Sequence, residues 1–494
     1  MRAALLILCS LFAINLSAQV KDAITKFGET ITPAAVSKQL HVIAGPEMEG
    51  RETATRGQER AAAYIISQFE AAGLKPGAGK DNWEQHYPLY SDSLLNSTIT
   101  VRNKTYHFAQ DFLADLRSGS RQDLHATQVV FADAASDYNT MDLKKKVVML
   151  RDGYKRGERS SLEEKMKIAE DKNAAAVLVI SPSAGRFKSV NQQKLRTTGI
   201  YREKDSIIRP NIYYITPALA ADILGTDHGE NLIEALDRGY KPPAKVQVPV
   251  HLLFNKAETV LQPSNVLAFL EGTDKKDEFV FVTAHYDHLG RQGNDIYYGA
   301  DDDGSGTSAV IEIATAFANA AKAGYRPRRS MVFMTVSGEE KGLLGSQYYT
   351  SHPIYPLAKT VADLNIDMVG RIDPAHEKDT NYLYIIGDNK LSSELRPINE
   401  KANNTYTRFK LDYKYNDPND PEGFYYRSDH YMFAQHNIPI IFYFNGTHAD
   451  YHEPTDTVDK IDFNLLARRA RLVFYTAWDI ANREQKLVVD RHEK

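Results

Sequence analysis

An α/β protein is what the sequence predicts, and three observations carry the prediction. From Ser264 onward, short apolar runs alternate with amphipathic helical stretches. A separate strand-helix-strand rhythm occupies the middle of the chain, after about residue 120. The composition of the 494 residues, 43% hydrophobic and 25% charged, is ordinary for a globular chain and excludes disordered, collagen-like and coiled-coil classes.

Taken in order, the chain starts with Arg2, an apolar run from Ala3 to Ile14 and a small-residue exit at Ser17-Ala18. This pattern reads as a secretory signal peptide over residues 1–18, too short to span a bilayer comfortably, and places the mature protein in the periplasm or outside the cell. Leu8 stands where a lipid-anchor signal would want a small residue before Cys9. Cleavage near Ala18 removes Cys9, the only cysteine, so the mature chain has no disulfide, no thiol nucleophile and no thiolate metal ligand. A helix follows over Gln58–Ala72, with Ala62, Ile65, Ile66 and Phe69 at helical spacing and Gly73 as its stop.

The middle segment reads as a β-α-β unit with strands at Lys146–Leu150 and Ala174–Ile180 around a helix at Ser161–Lys172. It is read as containing no close group of His, Asp and Glu, which marks it as a small accessory unit that shapes or covers a site elsewhere. Beyond it, strands are predicted at Asn265–Leu270, Phe279–Thr283, Ser330–Val336, Ala362–Ile366 and Ile438–Phe444. Between and after them lie a helix at Ser305–Ala323, with Val310, Ile313, Ala314, Phe317 and Ala321 on one face, and another at Asn464–Ala481. The second turns Leu465, Leu472, Tyr475 and Trp478 inward and leaves Arg468, Arg469 and Arg471 on a solvated face. With 60 Lys and Arg against 64 Asp and Glu, nothing in the charge argues for nucleic acid as a partner, and no second membrane segment is visible.

The chemistry lies where the strands end, the place where open α/β sheets bind ligands. Phe279–Thr283 runs into Ala284-His285-Tyr286-Asp287-His288, a histidine with a carboxylate placed to orient it. Next come the three adjacent acids Asp301, Asp302 and Asp303, whose mutual repulsion suits a solvated turn or a cation. Those acids also disqualify the nominal dinucleotide fingerprint Gly304-x-Gly306-x-x-Ala309, since they would repel a pyrophosphate. Ser330–Val336 delivers Glu339-Glu340, a pair that could divide metal binding from proton transfer. Asp367 leaves an apolar strand, where an unpaired acid is costly, and His452 follows the last strand. Two histidines and at least three carboxylates at separate strand ends, with no cysteine, suit zinc before other metals.

The ordered set His285-Tyr286-Asp287, Gly299-Ala300-x-Asp302-Asp303-Gly304-Ser305-Gly306, Gly338-Glu339-Glu340-x-Gly342-Leu343-Leu344-Gly345-Ser346, Asp367-Met368-x-Gly370, Ser428-Asp429-His430 and His452 resembles the co-catalytic di-zinc aminopeptidase family. Its superfamily includes glutamate carboxypeptidases, glutaminyl cyclases and transferrin-receptor-like proteins. The likeness is strong over residues 255–480 and weak over 30–110, and the middle segment resembles a protease-associated domain. It implies a three-layer α/β/α zinc-peptidase domain with a mixed, mostly parallel sheet, contributed by residues 19–115 and 255–494, with a small β-rich α/β insert at 116–254.

Carried over residue by residue, the resemblance implies two Zn2+ ions bridged by Asp302, one completed by His285 and Asp367 and the other by Glu340 and His452. Glu339 becomes the general base and acid, Asp287 the partner that orients His285, and Tyr451 a stabiliser of the developing oxyanion. The peptide bond Asp302-Asp303 is expected to be cis, with Asp301 and Asp303 as loop acids. His430 is read as structural or as a support for a ligand, and His288, His436 and His448 as non-ligands; Arg427 faces a substrate polar group or makes a surface ion pair, and 412–426 is long enough to cover the site. The implied reaction is attack of a zinc-bound hydroxide on a peptide carbonyl, with peptides as substrates and removal of N-terminal residues as the favoured outcome. A carboxypeptidase, dipeptidase or glutaminyl cyclase uses the same scaffold. A non-catalytic receptor-like module would show eroded ligands, whereas all five are present together with Glu339.

Overall fold

The computed structural model describes residues 24–117, 119–131, 140–152, 159–184, 192–204 and 209–491; the signal segment expected at residues 1–18 lies outside them. The chain divides into two units, one formed by Met1–Pro88 with Gln262–Lys494 and the other by Leu89–Leu261.

In the first unit, six strands form the body of a nine-stranded sheet: β1 (Ser264–Leu270), β2 (Lys275–His285), β3 (Arg329–Val336), β4 (Thr360–Ile366), β5 (Tyr382–Ile386) and β6 (Ile440–Phe444), in the spatial order β1-β3-β2-β4-β6-β5. Strands β3, β2, β4 and β6 are mutually parallel, and β1 and β5 run antiparallel to them on either side. Every residue of β3, β4 and β6 is buried, which explains why they read as predominantly apolar rather than alternating.

Alternate residues of these strands supply two different cores, as the two-residue period of a strand requires. Val280, Val282, Met331 and Phe333 point into one, where they meet helices α1 (Pro33–Ile43), α2 (Arg56–Ala72), α3 (Gly306–Lys322) and α4 (Phe463–Asn482). Phe281, Val332, Met334 and Phe442 point into the other, against Tyr349 and Phe433 from the short helices Leu344–Ser351 and His430–Ala434. The unit is thus a three-layer α/β/α sandwich. Its helices begin and end on ordinary local signals: the Thr32 hydroxyl accepts from Ala35 N at 3.1 Å, Asp462 accepts from Asn464 N and Leu465 N, and Gly73 closes α2 at φ 78°.

One expectation for α4 is corrected. Arg469 does not lie on a solvated face; it is fully buried, and donates from Nη1 to Val369 O at 2.9 Å and Arg371 O at 2.7 Å. Helical spacing could not reveal this, because the carbonyls it serves belong to the irregular segment after β4, which no repeating pattern of residues marks.

The second unit holds an eight-stranded sheet in which Gln122–Phe131, Val147–Arg151, Ala176–Ile180 and Asn211–Ile215 are parallel neighbours, with the helix Arg159–Asp171 between the second and third. This contains the expected β-α-β unit. The chain enters and leaves it on two long antiparallel strands, Leu89–Val101 and Lys245–Leu261, paired from Leu89↔Leu261 to Val101↔Val250. That pairing sets the division at residues 88 and 262, wider than the expected insert of 116–254. Among the described residues, no helix is long and apolar enough to cross a membrane.

Two outcomes follow from the packing. Replacing Arg469 by Met leaves the buried carbonyls of Val369 and Arg371 without donors, at roughly 1–3 kcal/mol each, so urea unfolding is expected at a clearly lower midpoint; an unshifted midpoint counts against this role. His430 stacks on Phe442 with ring centroids 4.7 Å apart, with Nε2 2.8 Å from Tyr425 O, and burial pushes its imidazole from an ordinary 6.5 down to about 3. Between those values the unfolded chain binds a proton that the folded chain refuses, so this contribution is intact above pH 6.5 and is lost as pH falls toward 3. The variant His430→Phe should lose that part of the acid slope, by up to one proton, in unfolding free energies measured across the window; parallel pH profiles would refute the assignment.

Candidate metal centre

Four parallel strands deliver the site from one edge of the sheet. β2 ends at His285, β3 leads to Glu339 and Glu340, β4 to Asp367, and β6 to the segment carrying Tyr451 and His452. The fifth contribution is the turn before α3, where the Asp302-Asp303 peptide is cis, as expected. Gly306 starts α3 because a Cβ there would overlap Ile366 O and the Asp303 carboxylate; its absence lets the helix dock on the end of β4.

Asp302 occupies the centre. Its Oδ1 lies 3.2 Å from His285 Nε2, which is itself 3.7 Å from Asp367 Oδ1. Its Oδ2 lies 3.0 Å from His452 Nε2, which is 3.2 Å from Glu340 Oε2. The two oxygens of one carboxylate therefore face two separate histidine-carboxylate pairs. Burial opposes the charge on Asp302, but His285 and His452 hold its carboxyl well below the usual range. Burial likewise disfavours a charged His452, and contacts with Asp302 and Glu340 outweigh it, raising the imidazole to about 10.

The structure adds His288, which the sequence reading set apart from the ligands. It is fully buried, with Nδ1 2.8 Å from Glu340 Oε1 and 4.0 Å from Asp302 Oδ2. The available signal was its position three residues beyond His285 on the same strand exit.

His436 is exposed, and His448 sits 3.2 Å from Asp301 Oδ2. Asp301 and Asp303 are fully buried acceptors, unlike ordinary loop acids. Asp301 accepts from Gly370 N and Asn445 Nδ2, and Asp303 from the backbone N–H groups of His285, Gly306 and Met368. With both oxygens so engaged, Asp303 braces the ends of β2 and β4 around the site.

Asp287 acts on more than one neighbour. His285 Nδ1 is 3.1 Å from the Asp287 backbone carbonyl and 3.7 Å from its carboxylate. The carboxylate accepts instead from Thr53 Oγ1 at 2.6 Å and Glu339 N at 3.2 Å. One residue thereby turns His285 Nε2 toward Asp302 and fixes the backbone of Glu339. Asp367 Oδ2 accepts from Ser428 Oγ at 2.6 Å, which orients Oδ1 toward His285.

Glu339 lines an open cleft together with Asp302, Asp367 and Tyr451, and the apolar side chains Met368, Phe424, Phe442 and Phe444 share its lining with Thr447 and Arg427. Burial, reinforced by Glu340, Asp429 and Asp367 against the opposing effect of His285, raises the Glu339 carboxyl well above its ordinary value. Tyr451 stacks on His452 with centroids 3.9 Å apart. Arg427 lies at the same cleft with its guanidinium 4.5 Å from the Phe424 ring centroid.

The donor set fits a metal. His285 Nε2, both nitrogens of His288, Asp302 Oδ2 and Glu340 Oε1 are buried without a hydrogen-bond partner, although they face one another closely. Such atoms are costly unless a cation engages them, and imidazole with carboxylate is a zinc-type donor set.

Comparison with known proteins agrees with this geometry. Residues 265–477 match peptidase family M28. A probable leucine aminopeptidase of Trichophyton verrucosum is 31% identical over 227 residues, covering 45% of this chain and 58% of the relative. A probable zinc metalloprotease of Pyrenophora teres f. teres is 29% identical over 259 residues, covering 46% and 50%. The chain thus spans a little over half the length of the curated relatives it matches. The solved aminopeptidase from Aneurinibacillus sp. strain AM-1 shares the fold, with a TM-score of 0.51 at 18% identity over 96% of this chain and 99% of that one. The match to peptidase family M28 and the strand ends that carry His285, Glu340, Asp367 and His452 thus fall on the same stretch, residues 265–477.

Proposed function

We propose that the chain is an exported di-zinc aminopeptidase that removes apolar residues from peptide N-termini. The observation that carries this reading is the placement of Asp302, one oxygen toward His285 and Asp367 and the other toward His452 and Glu340, with Glu339 beside them in the cleft. Those residues would hold two ions, with Asp302 shared and His288 braced against Glu340. Bound there, the ions supply an acidified water and polarise the scissile carbonyl.

The remaining work falls to the chain. Glu339, close to the ligands, accepts a proton from the attacking water on a carboxylate oxygen and returns it to the leaving amine. Its raised affinity for protons, due first to burial, suits a group that must hold one between the two transfers. The Tyr451 phenol, kept protonated by burial, is a hydrogen-bond donor for the developing oxyanion. Met368, Phe424, Phe442 and Phe444 offer an apolar wall to the side chain of the substrate's first residue. Export rests on the signal-like start from Arg2 to Ala18, and the assignment of the middle unit as a protease-associated insert rests on its β-α-β core and its position within the peptidase unit.

Leucyl and phenylalanyl anilides should be hydrolysed, N-acetylated analogues spared, and activity lost with chelator and restored by Zn2+. Cleavage that ignores N-terminal blocking would sink the aminopeptidase reading. Glu339→Gln should keep its metal and lower kcat by about 10²–10⁴, whereas Asp302→Asn should lose metal from both positions in elemental analysis. Loss of metal from Glu339→Gln alone would reassign the base.

A further inference from the structure

The expectation that the middle unit holds no close group of His, Asp and Glu is corrected by its sheet, which brings Asp123 and His125 together with His251, a residue distant in sequence. Asp123 and His125 are two residues apart on Gln122–Phe131, so their side chains share a face. His251, on Lys245–Leu261, stands directly opposite His125 in the antiparallel register, and Leu253 opposite Asp123. The two imidazoles lie parallel, 5° apart in plane with centroids 3.9 Å apart. Both present Nε2 to one carboxylate oxygen, with Asp123 Oδ1 2.7 Å from His251 and 3.7 Å from His125.

We propose that Asp123, His125 and His251 form a metal site on the inserted unit for a borderline divalent ion, Zn2+ or its neighbours Ni2+ and Cu2+. The three donor atoms lie within 4.8 Å of one another, close enough for one ion to engage all of them. Two imidazole nitrogens with one carboxylate oxygen favour these ions over Mg2+ and Ca2+, which prefer oxygen donors alone. The side chains of His125 and Asp123 are 77% and 68% exposed, so the ion has an open path and water can complete its coordination. Each ligand sits on a regular strand, so little backbone ordering is required. An ion held there ties the first strand of the parallel set to the strand on which the chain leaves the unit. None of the three residues belongs to the Asp302 centre, and the proposal does not rest on that centre's function.

The test is equilibrium dialysis of the full-length protein, its catalytic metal in place, against micromolar Zn2+, with metal counted per chain. Wild type should bind one more Zn2+ than His125→Gln/His251→Gln, and anilide hydrolysis should be the same in both. Asp123→Asn should weaken the extra site at least as much as the roughly tenfold typical of losing an outer-sphere partner. In wild type alone, Zn2+ should shield His125 and His251 from carbethoxylation, read by peptide mass, so the outcome does not depend on how any variant folds. Equal metal content in wild type and double variant, or modification of both histidines undiminished by Zn2+, would overturn the proposal.

Discussion

The constraint that organises this molecule is the burial of a dense group of carboxylates at one edge of a parallel sheet. Each must be compensated separately, and the structure does so by different means. Asp303 is satisfied by three backbone amides, Asp301 by an amide and the Asn445 side chain, Asp287 by Thr53 and the Glu339 N–H, and Asp367 in part by Ser428. Asp302 and Glu340 retain buried oxygens, Oδ2 and Oε1, that make no hydrogen bond and have only histidine ring nitrogens close by. The acids already satisfied define the position of those left over, and the leftover charge, lodged between histidines, is what selects a cation.

Two buried arginines reinforce the surroundings. Arg51 donates to the carbonyls of Tyr286, Ile43, Tyr298 and Gly299, fastening the exit of β2 to the turn that carries the acids. Arg469 does the same for the segment after β4. Burial lowers the proton affinity of both guanidiniums; the charge of Arg51 is part of the field around Asp302 and Asp303, and that of Arg469 acts on Asp301. The helices on this side are therefore more than packing material for the sheet. Through Arg469, α4 holds the backbone on which Asp367 is displayed.

What the sequence made legible and what it did not divide along a physical line. Strands β3, β4 and β6 and the second half of β2 are buried on both faces, so their residues are predominantly apolar, and the candidate ligands stand where each run stops. β5, Tyr382–Ile386, is likewise a buried apolar run between polar flanks, and the same contrast marks it although it is absent from the strands expected above. The limits of the insert were misjudged because Leu89–Val101 alternates polar and apolar residues, and only its pairing with Lys245–Leu261 shows to which unit it belongs. The burial of Arg469 was invisible for a related reason: it depends on which irregular segment folds against α4, and irregular segments carry no period.

The long pairing of the insert's first and last strands bears on what the insert costs the unit that carries it. Leu89 is paired with Leu261, and just inside the peptidase unit Tyr87 N donates to Pro263 O at 3.0 Å. From the standpoint of the peptidase unit, the whole insert closes a gap no wider than that of a hairpin turn. Loop-closure entropy grows only slowly with loop length, so a short turn and an entire folded module are nearly interchangeable at this junction. The first unit therefore meets the same short closure whether a turn or a folded module fills the interval between Pro88 and Gln262.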